Sequence, residues 1–184
     1  MVIQPRLYTV DEFEDFVDLP QNTDRRFELI NGEIVEIMPT EEHSLVAGNF
    51  YAALREFVRP RNLGRVAFEV RYRVPEDQHN ARLPDVSFTS AARALPVTKK
   101  GAVPLMPDLA VEVKSPGDSL KDLREKAFYY MAHGTQLVWI ANPDKRLIIV
   151  LTPDDEDILL DKETLTGGVV LPGFAISVAA LFEF

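Results

Sequence analysis

The chain has 184 residues, of which 46% are apolar, and a formal net charge of −9. This length predicts one domain over residues 1–184 with a core large enough to be stable without cross-links. Because there is no cysteine, the sequence excludes disulfide scaffolds, thiolate zinc sites and cysteine nucleophiles. No run of about 18 apolar residues is present and the first residues lack an apolar signal segment, so we expect a cytoplasmic protein with no membrane contact.

The charge is unevenly distributed along the chain. Residues 1–50 carry a net charge of −8, residues 51–100 of +5, residues 101–150 of zero and residues 151–184 of −6. Two interpretations stay open. The pattern is either ordinary variation over a surface, or it indicates an anionic substrate that faces the basic middle of the chain.

The N-terminal part predicts a helix and then a hairpin. Thr9-Val10-Asp11-Glu12 has the pattern of a capping box, and the apolar residues behind it have helical spacing, which predicts a helix at about 9–18. Asn31-Gly32 separates two apolar runs, at 27–30 and 33–37. An Asn-Gly pair between such runs is the strongest short-range sign of a β-hairpin.

The middle of the chain predicts a helix and two strands. Apolar residues at helical spacing run from His43 to about Val58, before Pro60. Apolar and polar residues then alternate over 66–74, which predicts a strand with one buried face. A second strand at about 82–89 would place Val86 and Phe88 on one face and Asp85 and Ser87 on the other.

The second half predicts a further set of alternating elements. These are a strand at 108–114, a helix at about 120–133 capped by Ser119, a central strand at 137–141 and an edge-like strand at 147–151. The tail over 153–184 predicts an acidic loop, a Gly167-Gly168 turn, two short strands and a closing helical turn near 178–182. The central order is helix, three strands, helix, strand. We therefore predict an α/β fold with a mixed sheet and an αβββαβ core, preceded by a helix and a hairpin and followed by added strands.

The strand at 108–114 has an unusual polar face. Leu109, Val111 and Val113 point one way, whereas Glu112 and Lys114 share the other face, with Cα atoms roughly 6.6–7 Å apart. Internal strands of mixed sheets normally have two apolar faces, so the presence of a carboxylate and an ammonium group on one face requires an explanation. A functional site is one explanation. A surface strand with an ordinary Glu–Lys pair is the other.

Two Pro-Asp pairs precede this polar face, Pro84-Asp85 and Pro107-Asp108. Asp108 lies four residues from Glu112 on the same strand, roughly 13 Å away, so the two cannot share one ion. Asp85 lies on a different predicted strand, and its carboxylate can approach Glu112 if the two strands are neighbours about 4.8 Å apart. We expect Asp108 to bind backbone donors where its strand begins.

Pro84-Asp85 followed by Glu112-Val113-Lys114 resembles the PD-(D/E)XK signature of the restriction-endonuclease-like nucleases. The chain is more closely similar to the Uma family of bacterial restriction endonucleases, long catalogued as a domain of unknown function. The similarity extends over nearly the whole chain. It includes the segments Phe27-Glu28-Leu29-Ile30-Asn31-Gly32-Glu33, Pro107-Asp108-Leu109, Ser115-Pro116, Asn142-Pro143 and Leu171-Pro172-Gly173-Phe174.

The resemblance implies hydrolysis of a phosphodiester with Mg²⁺ or Mn²⁺, on DNA by preference. Asp85 and Glu112 would hold the ion, helped by a backbone carbonyl near Val113, and Lys114 would orient or deprotonate the attacking water. These residue types suit the chemistry, because Mg²⁺ takes one or two carboxylates together with waters and phosphate oxygens.

Four further residues are candidates for the same site. Many members of the family carry their lysine on the following helix, at a position that matches Lys126, with Tyr130 on the same helical face. We favour Lys114 as the catalytic lysine. Lys126 is either a second site residue or a solvated lysine that pairs with Asp122. Glu28 matches a recurrent family glutamate, and His43 at its helix start is either structural or catalytic.

Two other interpretations of the fold stay open. The protein could be a non-catalytic member of the fold that binds nucleic acid or a protein, or an interaction domain in which the polar face is only structural. For a nuclease we expect a homodimer, since two-fold symmetry suits the cleavage of both strands of a duplex. The apolar segment 174–184 could cover either the core or such a partner.

Overall fold

A computed structural model describes residues 6–184 as two compact units. The first unit contains residues 6–38, 71–83 and 97–106, and the second contains residues 39–70, 84–96 and 107–184. The chain passes from one unit to the other several times. One domain over the whole chain stays a prediction.

The first unit is a four-stranded sheet with one helix. Its elements are α1 (Val10–Val17), β1 (Arg26–Ile30), β2 (Glu33–Ile37), β4 (Tyr72–Arg73) and β5 (Ala81–Arg82), with the strands in the order β2-β1-β5-β4. Thr9 and Glu12 form the predicted capping box at the start of α1. Asn31 and Gly32 have φ angles of 50° and 83°, which suit the predicted tight hairpin turn.

The second unit is built on a six-stranded sheet. Its elements are α2 (Glu41–Val58), β3 (Gly64–Phe68), β6 (Val86–Ser90), β7 (Leu109–Val113), α3 (Leu120–Ala132), β8 (Leu137–Asn142), β9 (Leu147–Leu151), β10 (Glu156–Leu160), β11 (Thr164–Gly167) and β12 (Leu171–Ser177). The six strands have the order β10-β9-β8-β7-β6-β3, and β11 and β12 pair separately. Only β7 and β8 pair in parallel among the neighbours of this sheet, with α3 as the connection between them.

The main core lies between α2 and one face of the six-stranded sheet. Val46, Phe50 and Leu54 of α2 pack in one buried cluster with Leu109, Val111 and Val113 of β7 and with Trp139 of β8. The alternation predicted for β7 is therefore confirmed. Glu112 is on the opposite side of the strand, where α3 packs.

Two strands are shorter than the sequence predicts. The alternating run 66–74 is divided into β3 and β4, because Glu69 adopts a left-handed backbone conformation with φ of 50°. The predicted strand 82–89 is likewise divided into β5 and β6. Pro84 lies in the break, where its missing N–H and the restricted backbone before it disfavour a continuous strand.

The C-terminal part also corrects two expectations. Strand β9 is not at an edge, because the acidic segment predicted as a loop forms β10 and pairs with it. The C-terminal apolar residues cover the core of their own unit, with Phe174, Leu181 and Phe182 no more than 5% exposed. Phe184 is exposed. The homodimer stays a prediction.

None of the helices within residues 6–184 has both the length and the apolar character needed to cross a bilayer.

Candidate active site

Asp85 lies beside the end of β7, directly before β6 begins. Val86, the first residue of β6, pairs with Val111 of β7, so Asp85 lies at the end of β7 that carries Glu112. The backbone N–H of Asp85 donates to the Val111 carbonyl at 3.1 Å. Its Oδ2 accepts the N–H of Val113 at 2.6 Å. The carboxylate therefore replaces the backbone carbonyl that a neighbouring strand would offer to this N–H. The carbonyl of Val113 points to the same side as its N–H.

His43 reaches Asp85 from the first turn of α2. Thr40 caps this helix by accepting the N–H of His43, and the His43 side chain is 6% exposed. Its Nε2 lies 3.2 Å from Oδ2 of Asp85. The structure therefore brings the candidate histidine to the candidate aspartate, although the two residues are 42 positions apart in the chain.

The environment of His43 favours its charged form. Burial by itself lowers the pKa of the imidazole, because it removes water from the cation. The hydrogen bond to Asp85 and the charges of Asp85, Asp118 and Glu69 outweigh burial, so the pKa of His43 is raised above 6.5. The carboxylate of Asp85 therefore stabilises the protonated form of His43.

Glu112 is almost fully buried and holds two donors from α3. Lys126 Nζ donates to Oε2 at 2.8 Å, and the Tyr130 hydroxyl donates to Oε1 at 2.8 Å. Residues 126 and 130 are one helical turn apart, so they present both donors on one face of α3. Because the side chain of Lys126 is only 12% exposed, the interpretation of Lys126 as a solvated helix lysine is wrong.

Lys114 contacts Ser115 and Asp144, which are not partners of Glu112. Its Nζ donates to the Ser115 carbonyl at 3.1 Å and lies 3.3 Å from Oδ2 of Asp144. The side chain of Lys114 is 14% exposed and that of Asp144 is 62% exposed. Strand β7 is buried throughout, so the interpretation of a solvated surface strand is also wrong.

Asp144 was not among the residues chosen from the sequence. It lies in the turn Pro143–Lys145, directly after β8. Because β7 and β8 are parallel, their carboxyl ends meet at one edge of the sheet, and polar residues after both strands come together there. The Asn142-Pro143-Asp144 turn was a signal that could have identified this partner of Lys114.

Glu28 lies in the first unit, on β1. It is 2% exposed, and its Oε1 accepts the backbone N–H of Leu83 at 2.5 Å. The structure therefore gives Glu28 a backbone partner within its own unit. A role for Glu28 in catalysis stays a prediction.

Asp108 has the structural role that the sequence predicts for it. One carboxylate oxygen accepts the N–H of Ser90 at 2.7 Å, and the other accepts Arg93 Nη1 at 2.7 Å. Its backbone carbonyl accepts the N–H groups of Gln136 and Leu137. Asp108 therefore joins the beginnings of β7 and β8 to the end of β6, at the opposite end of β7 from Glu112.

The donor set near Asp85 suits a hard cation that keeps part of its water shell. Within residues 6–184, no three His, Asp or Glu side chains are grouped closely enough to form a metal cage. Mg²⁺ does not need such a cage, since one or two carboxylates are enough when waters and phosphate oxygens complete the shell. Asp85, Glu112 and the Val113 carbonyl are oxygen donors of that kind.

The comparisons with known proteins identify the family of the chain. A family model described as Uma2, putative restriction endonuclease, matches residues 13–179. The chain belongs to this family. The Uma2 match covers both units, including the segments that carry Asp85, Glu112, Lys114 and Lys126. No curated protein matches the chain.

One solved structure has the same fold. The crystal structure of a putative nuclease of DUF820 from Anabaena variabilis has a TM-score of 0.79 and 23% sequence identity, and the match covers 95% of this chain and 97% of that one. The cryo-EM structure of a DrdV–DNA complex matches 77% of this chain and 14% of that one, with a TM-score of 0.37 and 15% identity. The match to the DUF820 structure confirms the predicted α/β fold with a mixed sheet.

Proposed function

We propose that this Uma2 protein is an endonuclease that hydrolyses phosphodiester bonds with Mg²⁺ or Mn²⁺, on DNA by preference. The observation that carries the proposal is that two buried carboxylates, Asp85 and Glu112, lie at the same end of two neighbouring strands. Asp85 contacts the N–H of Val113, the residue that follows Glu112. Burying a charged carboxylate costs free energy unless it is paired, so two buried carboxylates at one end of a sheet favour a functional role over a purely structural one.

Asp85, Glu112 and the carbonyl of Val113 would hold the ion. Both contacts of the Asp85 carboxylate among the described residues use Oδ2, which leaves Oδ1 to a ligand. A divalent ion at these oxygens would supply a water of lowered pKa and would offset negative charge on the scissile phosphate.

The cations around the two carboxylates have separate tasks in this proposal. Lys126 balances the charge of Glu112 and, with Tyr130, fixes the orientation of its carboxylate. Lys114, on the same face of β7 as Glu112, orients the attacking water and offsets charge that develops on the phosphate. His43 holds Asp85 by its Oδ2.

The test is a cleavage assay on supercoiled DNA, linear DNA and RNA, each with Mg²⁺, with Mn²⁺ and with chelator. We expect cleavage of DNA that requires the ion and is lost in Asp85→Asn. Asp154→Asn is the matched control, because it makes the same chemical change at an exposed acid. DNA that is bound but not cleaved under any of these conditions would favour the alternative, a non-catalytic nucleic-acid-binding member of the fold. Cleavage by Asp85→Asn at the wild-type rate would contradict the proposed site.

A further inference from the structure

Four exposed arginines lie close together where α2 ends and β3 begins. Arg55 is in the last turn of α2, Arg59 and Arg61 are in the short 3₁₀ turn that follows, and Arg65 is on β3. We call these four residues the arginine patch. Residues 55–65 contain one acidic side chain, Glu56, so the segment has a net charge of +3 in a chain of net charge −9.

The arginine patch differs from other arginines of the protein in lacking acidic partners. Within residues 6–184, none of its four guanidinium groups forms an ion pair. Six other arginines each have a carboxylate within 2.8 Å, in the pairs Arg6–Glu12, Arg25–Glu36, Arg71–Glu14, Arg93–Asp108, Arg124–Glu156 and Arg146–Asp161. Carboxylates of the chain offset the charge of these six arginines but not the charge of the arginine patch. The patch is therefore a local positive surface that can attract an anion.

The negative end of the helix dipole does not account for the whole patch. A helix C-terminus corresponds to roughly half a negative charge, and one cation is enough to offset it. Arg61 serves this purpose, because its Nη1 donates to the Phe57 carbonyl at 3.0 Å and its guanidinium lies 4.2 Å from the Phe57 ring centroid. The remaining three arginines have no hydrogen-bond partner of this kind among the described residues.

The segments that pack beside the patch add no negative charge. The N–H of Ala91 donates to the Leu63 carbonyl, which brings the uncharged residues 90–92 beside the start of β3. The Phe57 ring contacts that of Phe174, with centroids 5.4 Å apart, and residues 172–174 are also uncharged. No acidic side chain from these neighbouring segments offsets the arginines.

We propose that the arginine patch binds the phosphate backbone of the duplex that the candidate active site cleaves. The inference rests on the proposed function and adds to it a second contact with the same substrate. Guanidinium groups suit this task, because they stay charged and bind phosphate oxygens in a bidentate manner. From His43 to Arg59 the rise of α2 is about 24 Å, which corresponds to about seven base pairs along a duplex.

The test measures binding of a duplex of about 20 base pairs by fluorescence anisotropy, in chelator so that no cleavage occurs. The triple variant Arg55→Gln, Arg59→Gln, Arg65→Gln removes three charges and keeps the Arg61–Phe57 contact. The matched control is Lys99→Gln, Lys100→Gln, Lys162→Gln, which changes the net charge equally at other exposed positions. A second control, Arg55→Lys, Arg59→Lys, Arg65→Lys, keeps the charge.

We expect the arginine-to-glutamine variant to bind about ten- to hundredfold more weakly near 0.1 M salt, with a salt slope reduced by about 2.7, since each phosphate contact contributes about 0.9. The lysine-to-glutamine control should bind nearly as the wild type does, and the arginine-to-lysine variant should keep most of the slope. Equal affinity and slope in the two glutamine variants would overturn this inference alone. A wild-type chain that binds no duplex at any salt concentration would overturn the proposed function as well.

Discussion

Two Pro-Asp pairs lie at opposite ends of the same two neighbouring strands and have different surroundings. At one end, Asp108 distributes its oxygens between the Ser90 N–H and the Arg93 guanidinium. At the other, Asp85 directs both its contacts, to the Val113 N–H and to His43, through the single oxygen Oδ2. The backbone N–H groups of both residues bind the adjacent strand in the same way, at the carbonyls of Phe88 and Val111.

The two aspartates differ in their side-chain partners and not in their burial. Both aspartates are buried, with 6% exposure for Asp108 and 8% for Asp85. Burial and the Pro-Asp motif therefore do not distinguish them. The distinction lies in the side-chain partners, because Asp108 has donors on both oxygens, whereas both partners of the Asp85 carboxylate bind Oδ2.

The largest expected effect separates the two aspartates by activity. Asp85→Asn should lower the cleavage rate by about 10³, equivalent to about 4 kcal/mol of transition-state stabilisation. Asp108→Asn should instead lower the free energy of unfolding by about 2–3 kcal/mol, because charge-assisted hydrogen bonds to Ser90 and Arg93 are weakened. Single-turnover cleavage and urea denaturation of both variants measure the two effects.

The folded fraction is the control in this comparison. Cleavage by Asp108→Asn, corrected for the fraction folded at the assay temperature, should match the wild type within about threefold, since Asp108 touches no part of the proposed site. A loss of rate in folded Asp108→Asn as large as that in Asp85→Asn would contradict the distinction between the two ends of β7.

The next effect separates the two lysines by stability. Lys126→Met should lower the free energy of unfolding by about 3 kcal/mol, because it leaves the buried charge of Glu112 without a cation. Lys114→Met should cost less than about 1 kcal/mol, since its partner Asp144 is largely exposed. It should leave ion binding near the wild-type level and lower the hydrolysis rate. Denaturation, calorimetry with Mn²⁺ and the cleavage assay measure these quantities.

A double variant identifies the cause of the stability loss. Lys126→Met combined with Glu112→Gln should regain most of the lost stability, because no unpaired charge remains, but should bind no ion and cleave nothing. If the double variant is as unstable as Lys126→Met alone, the loss comes from packing of the lysine stem and not from the charge of Glu112.

The smallest expected effect is the contribution of the Arg124–Glu156 ion pair to the free energy of unfolding. This pair is more exposed than the pair of Lys126 with Glu112. The hydrogen bond from Arg124, with its charge, holds the pKa of Glu156 below 4.5, although burial opposes this. A carboxyl with a lowered pKa in the folded state stabilises the fold above pH 4.5 and loses that contribution as the pH falls through the folded-state pKa. Glu156→Gln should therefore cost about 0.5–1 kcal/mol at pH 7.

Urea denaturation between pH 7 and pH 3 checks this dependence. The difference between the wild type and Glu156→Gln should decrease below pH 4.5 and vanish in acid. Asp154→Asn, on an exposed acid of the preceding turn, should show no comparable difference at any pH. A difference for Glu156→Gln that does not decrease at all between pH 7 and pH 3 would mean that the charge of Glu156 is not its source.

Most of the fold follows from local sequence signals. The capping box at Thr9, the Asn31-Gly32 turn and the Ser119 cap each act within a few residues, so their elements begin or turn where the sequence predicts. The breaks inside two predicted strands were harder to foresee. Alternation continues through Glu69, and nothing local indicates that this residue turns left-handed. The position of β9 inside the sheet depends on β10, whose acidic composition is typical of a loop.

The sequence by itself determined which residue types could form the site and on which strands they lie. Alternation puts Glu112 and Lys114 on one face of the predicted strand, and the distance along that strand selects Asp85 over Asp108. The tertiary structure alone decided the partners of these side chains. Lysine has a long flexible stem, so its contact depends on how a helix packs on the sheet. The packing of α3 brings Lys126 to Glu112, and the turn after β8 brings Asp144 to Lys114.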